Sequence, residues 1–229
     1  MSDATPELPG EERGEAALYP VMLRLAGRRC VVVGGGAVAE RKVAGLLECG
    51  ASVTLVSPEA TPILEGLAGA ARITWERRTV SGKDVARAFL VFAATDNLEV
   101  NRRVAQAVSE AGGLANVADD PAGGSFHVPA VLRRGGLSIA ISTSGNSPAL
   151  ARRLRQRLEQ TLGPEYEAFL AALGQLRERA QKSIPSAEAR RRIYLQALDS
   201  DLFEHAARGD PAAVEARIAA LLADGAAAP

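Results

Sequence analysis

The stretch Cys30-Val-Val-Val-Gly-Gly-Gly-Ala-Val-Ala39-Glu-Arg-Lys42 constrains the fold of this chain more than any other segment. A run rich in β-branched residues ends in G-x-G-x-x-A and passes at once into a helical pattern, with Val43, Leu46 and Leu47 on one face. Strand, tight turn and helix in that order form the unit that receives a dinucleotide pyrophosphate. Gly34 permits the turn, Gly36 lets the backbone approach the phosphates, and Ala39 lets the helix pack closely on the strand. The free N–H groups and dipole of the helix then face the anion. A glycine-rich turn without a ligand would use the same residues, so the motif gains force only from its surroundings.

Those surroundings are of a globular α/β chain. Its 229 residues are 47% hydrophobic, enough to bury a sizeable core. With 27 basic and 27 acidic side chains, nothing invites bulk nucleic-acid binding. Apolar runs are broken by Gly, Arg or Asp before reaching membrane-spanning length, and the N-terminus lacks a basic-then-apolar leader. Residues 1–17 carry Asp3, Glu7, Glu11, Glu12 and Glu15 against Arg13, with Pro6, Pro9 and Gly10, and are expected to form a disordered acidic tail. Cys30 and Cys49 match no metal spacing and are expected to be buried thiols. A reducing cytoplasm and no membrane are the expected setting.

Strand-like runs at Arg29–Val33, Ser52–Val56, 72–76, 89–93 and Leu114–Val117 alternate with helical segments at 37–49, 61–70, 81–88 and 97–111. Such alternation implies a parallel sheet covered on both faces, with ligands at the carboxyl ends of its strands. From Ser125 to Thr143 two extended runs join at Arg134-Gly135-Gly136, as an antiparallel pair. Beyond Ser147-Pro148 the pattern is helical. Leu150, Leu154, Leu158 and Leu162 form one apolar stripe, and Tyr166, Phe169, Leu170, Leu173 and Leu176 a second. Ile193, Ala197, Leu198 and Leu202 mark a third. Asp210-Pro211 opens a last helix, with Val214, Ile218, Leu221 and Leu222 buried and Gly225 past its end. The expected division is a tail (1–17), a Rossmann-type domain (18–124), a small β-containing region (125–147) and a helical domain (148–229).

Several segments could carry chemistry. Ser57-Pro58-Glu59 follows the second strand, where an acidic residue would hold a ribose and an Arg a 2′-phosphate. Only Glu59 is present, which favours NAD over NADP, although a solvated glutamate at a helix start would look the same. Asn116-Val-Ala-Asp119-Asp120 closes the fifth strand. A carboxylate there either accepts a proton from a substrate or caps the next turn. Ser142-Thr143-Ser144-Gly-Asn-Ser147-Pro148 reads as an anion-binding loop or as an ordinary N-cap turn. Behind it, Arg152, Arg153, Arg155 and Arg157 lie off the leucine stripe, either solvated or facing a polyacidic ligand. No bound metal is expected, because His127 has no second ligand at suitable spacing.

Five collinear motifs complete the picture: Val32-Val-Gly-Gly-Gly-Ala-Val-Ala-Glu-Arg-Lys42, Ala93-Ala-Thr-Asp-Asn97, Asn116-Val-Ala-Asp-Asp-Pro121, Ser125-Phe-His-Val-Pro-Ala130 and Ala140-Ile-Ser-Thr-Ser-Gly-Asn-Ser-Pro-Ala-Leu-Ala-Arg152. On these the chain resembles the dehydrogenase–chelatase module of siroheme synthase, in particular the stand-alone precorrin-2 dehydrogenases. The resemblance implies NAD-dependent oxidation of precorrin-2 to sirohydrochlorin by a homodimer, with 125–147 as its dimerisation region. It places the catalytic aspartate at Asp119 and the cofactor contacts at Gly34, Gly36, Ala37, Val38, Pro58, Glu59 and Thr95, beside Ser57. It also gives a purpose to Asn116, Ser142, Thr143, Ser144, Ser147, Arg152 and Arg153, since the substrate is a polycarboxylate. Some members insert Fe²⁺ into sirohydrochlorin, the metal being a transient substrate that the same aspartate could serve.

The chain departs from the family at Gly124, where a Cys is frequent, at His127, where an apolar residue is usual, and at Thr143, where many members have Ser. His127 is expected to replace an aliphatic side chain. The methyltransferase domain of fused siroheme synthases is expected to be absent. One competing reading is a dehydrogenase only, with a separate chelatase; another, an NAD(H)-sensing regulatory module, would bring a basic face or a DNA-binding helix pair, and the charge balance argues against it.

Overall fold

A computed structural model of the protein describes residues 17–118 and 120–227. The acidic segment 1–17 therefore lies, but for Ala17, outside the described residues, as does Asp119. The chain divides into two compact units between Val128 and Pro129.

In the first unit strands and helices alternate: β1 (Arg29–Val33), α1 (Ala37–Glu48), β2 (Ser52–Val56), α2 (Pro62–Gly69), β3 (Thr74–Glu76), α3 (Gly82–Val85), β4 (Leu90–Ala93), α4 (Leu98–Glu110) and β5 (Leu114–Val117). The strands form one parallel sheet in the order β3-β2-β1-β4-β5. Its centre is apolar on both faces because helices cover both. Cys30, Val32, Val53, Leu55 and Phe92 point to the face that packs on Val43 and Leu46 of α1 and Leu64 of α2. Val31, Val33, Val56, Val91 and Val117 point to the other, against Val85 of α3 and Val104 and Val108 of α4. The period-two alternation of strand side chains thus sorts one apolar run into two cores. Cys30 is fully buried, whereas Cys49, at the end of α1, is only partly so.

Two elements are shorter than their patterns suggest. β3 starts at Thr74 rather than 72 because Ala71 adopts φ +53° and the Arg72 N–H returns to the Leu67 carbonyl at 2.9 Å. α3 stops at Val85 instead of reaching 88. Arg29 donates to the carbonyls of Asp84 (2.8 Å) and Ala86 (3.1 Å), which a longer helix would need for itself.

In the second unit β6 (Ala130–Arg134) and β7 (Leu137–Ile141) pair antiparallel around the turn at Gly135-Gly136. They are followed by α5 (Pro148–Thr161), α6 (Glu165–Ser183), α7 (Ala187–Leu198), α8 (Leu202–Ala207) and α9 (Pro211–Ala227). Leu176, Ile193, Leu202 and Ile218 are fully buried where α6 to α9 meet. Leu202 opens α8 rather than closing α7. Gly225 lies within α9 rather than past its end: a β-carbon there would stand 2.7 Å from Ile184 Cδ1 and 2.9 Å from Ile193 Cγ2, so the glycine serves close packing. The α5 stripe is not a core stripe in this chain, since Leu150 is 48% and Leu154 37% exposed while Ala151 is buried. Leu198 is likewise exposed.

The edge of the first unit is tied by charge. Arg78 donates twice to the buried Asp84 carboxylate, both at 2.7 Å, and Ser81 adds its N–H (2.7 Å) and hydroxyl (2.9 Å). The Arg78 guanidinium, followed by the Ser81 bonds, holds the Asp84 carboxyl far below the usual carboxylate range. A depressed carboxyl stabilises the fold above its unfolded value, about 3.9, and that contribution fades as pH falls toward the folded value. Asp84→Asn is expected to lower the melting temperature at pH 7, with the gap to the parent narrowing below about pH 4. Melting curves from pH 7 to 2 check this; a constant gap would show that the charge is immaterial.

Candidate functional site

The turn from β1 to α1 is pinned by backbone contacts that exclude side chains. Gly34 adopts φ +108°, and a β-carbon on it would lie 2.4 Å from the Ala94 carbonyl oxygen, while its N–H donates to Val56 O at 3.0 Å. A β-carbon on Gly35 would lie 2.0 Å from the Glu59 carbonyl oxygen, and the Gly35 carbonyl accepts from Thr61 N–H at 3.0 Å. Gly36 differs: its added β-carbon would meet nothing within 4 Å. It is the N-cap of α1, and no side chain caps that helix. Gly36 and Ala37 are exposed, Val38 is half-buried, and Ala39 packs fully against the sheet. The helix therefore presents uncapped N–H groups to an open approach, which fits a diphosphate.

Gly34 and Gly35 bring the loops after β2 and β4 to the same edge. After β2, Ser57 is buried, donates its N–H to Glu76 O (3.2 Å) and accepts from Trp75 Nε1 (3.0 Å). Pro58 and Glu59 are exposed. After β4, Thr95 is half-buried and bonded on three atoms to Asn101 of α4. The residues expected to contact the cofactor, Gly34, Gly36, Ala37, Val38, Ser57, Pro58, Glu59 and Thr95, thus all stand at the carboxyl edge of one sheet. Sequence reasoning passed over Gly35 and Asn101. The unbroken glycine triplet was a signal for the first; a mid-helix Asn gives none.

At the end of β5 Asn116 is buried and its amide donates to the Phe126 carbonyl at 2.9 Å. Ser125 completes the attachment, donating its N–H to Ala115 O (2.7 Å) and accepting from Ala115 N–H (2.8 Å). The Phe126 ring meets Phe92 edge-on, centroids 5.4 Å apart. Asn116 thereby holds the 125–126 segment along β5. Asp120 takes the capping role, its Oδ1 accepting from Gly123 N–H at 3.0 Å.

In the second unit the loop between β7 and α5 bonds to itself. Ser142 Oγ accepts from Ser144 N–H (3.1 Å), Thr143 Oγ1 from Ser147 N–H (3.1 Å) and Ser147 Oγ from Leu150 N–H (3.2 Å). Each hydroxyl accepts and so keeps its proton to donate. Ser144 adopts φ +52°, an uncommon conformation for a non-glycine residue. Arg152 and Arg153 are exposed and have no ion-pair partner among the described residues, whereas Arg155 is engaged by Glu159.

Comparison with known proteins follows the same order along the chain. A model described as putative NAD(P)-binding matches residues 21–130, one described as sirohaem biosynthesis protein central matches 134–161, and one described as sirohaem synthase dimerisation region matches 165–222. Siroheme synthase 3 of Aeromonas hydrophila subsp. hydrophila is 41% identical over 206 residues, 90% of this chain and 44% of that protein. Siroheme synthase of Xylella fastidiosa is 38% identical over 212 residues, 91% of this chain and 44% of that protein. The chain belongs to the siroheme synthase dehydrogenase-module family. It spans under half the length of these curated relatives. Among solved structures it is similar to SirC, a precorrin-2 dehydrogenase, with a TM-score of 0.74 and 27% identity over 89% of this chain and 98% of that one. The family's dimerisation model falls on α6 to α9, whereas the resemblance read from sequence gave that role to 125–147.

NAD is the cofactor that this edge fits. Gly36→Val puts a branched side chain in front of α1, with its β-carbon in open space. The expected result is a Kd for NAD⁺ raised about tenfold or more, with little change in melting temperature. Calorimetry beside thermal melting measures both, and an unaltered Kd would remove the glycine turn from the cofactor site.

Proposed function

We propose that this protein catalyses the NAD-dependent oxidation of precorrin-2 to sirohydrochlorin, as a homodimer in a reducing, cytoplasmic setting. The observation that carries the reading is the uncapped α1 N-terminus behind Gly36, in a chain whose likeness to a precorrin-2 dehydrogenase spans 98% of that protein. Bound NAD⁺ supplies the hydride acceptor, and the reaction also releases one proton from the macrocycle. Asp119, which follows β5, is the residue proposed to take that proton. Its neighbour Asp120 already caps a turn, which supports assigning the chemistry to Asp119. Asn116 braces the segment beyond it.

The macrocycle carries carboxylates, and the second unit offers matching donors. Ser142, Thr143 and Ser147 keep hydroxyl protons to give, Ser144 shapes the loop, and the exposed Arg152 and Arg153 supply positive charge. The exposed Leu150 and Leu154 and the dimerisation-region match support a second copy as partner. Among the described residues no helix is long and apolar enough to cross a membrane.

The test is an anaerobic assay of precorrin-2 with and without NAD⁺, followed by visible absorbance, with Fe²⁺ then added as a substrate. NAD⁺-dependent formation of sirohydrochlorin is expected. NAD⁺ binding without a change in the tetrapyrrole spectrum would refute the reading. Faster siroheme formation than in the protein-free control would add ferrochelatase activity.

Two variants probe the assigned roles. Asp119→Asn is expected to cut dehydrogenation about 10²–10⁴-fold while NAD⁺ still binds; parental turnover would remove Asp119 from the mechanism. Arg152→Ala combined with Arg153→Ala is expected to raise the KM for the tetrapyrrole more than that for NAD⁺. Equal effects on both would return these arginines to a solvated face.

A further inference from the structure

Asn101 is 1% exposed, on the second turn of α4, and its carboxamide is spent on a single residue. Oδ1 accepts from Thr95 N–H (3.2 Å) and from Thr95 Oγ1 (2.7 Å), while Nδ2 donates to Thr95 O (2.9 Å). One side chain thus holds the amide, carbonyl and hydroxyl of one residue, as a pairing strand would hold its backbone. The residue so held directly follows Ala94, whose carbonyl lies against Gly34.

The polarity of this arrangement is fixed. A threonine hydroxyl has one proton. The nearest acceptor is Asn101 Oδ1 at 2.7 Å, closer than Asn97 O at 3.1 Å, so the proton points inward. Asn97 N–H donates to the same oxygen at 3.2 Å. What remains on Thr95 Oγ1 is a lone pair, which only accepts. A dinucleotide lying on this edge carries donors of three kinds, ribose hydroxyls, the adenine amino group and the carboxamide NH₂.

From this geometry we infer that Asn101 is a positioning residue for the cofactor: it locks Thr95 beside the glycine turn and presets the Thr95 hydroxyl as acceptor for a hydroxyl or amide donor of the dinucleotide. The inference rests on the nucleotide reading of this edge and adds the direction of one hydrogen bond to it. Thr95→Val removes the acceptor. Asn101→Asp keeps the acceptor for Thr95 N–H and Oγ1 but sets a carboxylate oxygen against the Thr95 carbonyl.

The experiment measures the Kd for NAD⁺ by calorimetry, the cofactor-free melting temperature, and the KM for each substrate. Thr95→Val and Asn101→Asp are expected to raise the Kd and the KM for NAD⁺ about tenfold, with the KM for the tetrapyrrole within about twofold of the parent. Thr95→Ser, which restores the hydroxyl, is expected to recover most of the affinity lost in Thr95→Val. Gln106→Ala, on the exposed face of α4, is the control for changes to that helix. A lowered melting temperature with parental Kd in both variants would make the Asn101–Thr95 contact a purely structural one and overturn the inference. If Asn101→Asp does not fold, the Thr95→Val and Thr95→Ser pair decides alone. Failure of the parent protein itself to bind NAD⁺ would instead overturn the nucleotide reading beneath it.

Discussion

The β1–α1 turn touches two other loops at distances that leave no room for a side-chain carbon, and the geometry of the nucleotide edge depends on that contact. Gly34 abuts the Ala94 carbonyl and Gly35 the Glu59 carbonyl, with imagined β-carbons at 2.4 and 2.0 Å. Backbone against backbone cannot relax as a long side chain would, so the loops after β1, β2 and β4 take one mutual arrangement. Only then does Gly36 stand clear in front of α1. The three glycines have different tasks: the first two lock the loops and the third leaves space. A closely packed turn next to an open one is what a rigid anion site requires, because donors that are already oriented lose little on binding.

Much of this was legible in the chain itself. The strands at Arg29–Val33, Ser52–Val56 and Leu114–Val117 occupy the same residues in the structure as in the sequence pattern, since strands buried on both faces read as near-continuous apolar runs. The hairpin around Gly135-Gly136 and the Ser147-Pro148 helix start are equally local signals. Boundaries failed where a distant side chain intervened. Nothing near residue 88 announces that Arg29, more than fifty positions earlier, takes the carbonyls of Asp84 and Ala86 and ends α3. Gly225 misled for a related reason. A glycine near a helix end reads as a stop, yet here it makes room for Ile184 and Ile193.

The apolar stripe of α5 shows a different limit. Spacing identifies which side chains share a helix face but not what covers it. Leu150 and Leu154 have the periodicity of core residues and are exposed in the single chain. Asn101 is the converse, a polar residue with no periodic signature that is more buried than most leucines. Its role exists only once Thr95, six positions earlier, has been folded back over the first turns of α4. The family resemblance pointed to Thr95 but not to the group that holds it.

Hydrogen-bond polarity then separates two kinds of hydroxyl in this protein. Thr95 gives its proton to Asn101 and faces outward as an acceptor. Ser142, Thr143 and Ser147 do the reverse: each accepts from a backbone N–H of its own loop or helix and retains a proton for an outside acceptor. The first arrangement suits a ligand that offers hydroxyl or amide donors, as a dinucleotide does. The second suits carboxylates, and the exposed Arg152 and Arg153 beside it carry charge of the matching sign. The same functional group is thus given opposite roles by the partner on its inner side. In the first unit that partner is a buried carboxamide oxygen, in the second a backbone amide. Neither role follows from the presence of a serine or threonine at the position; both follow from the group that meets the hydroxyl on its inner side.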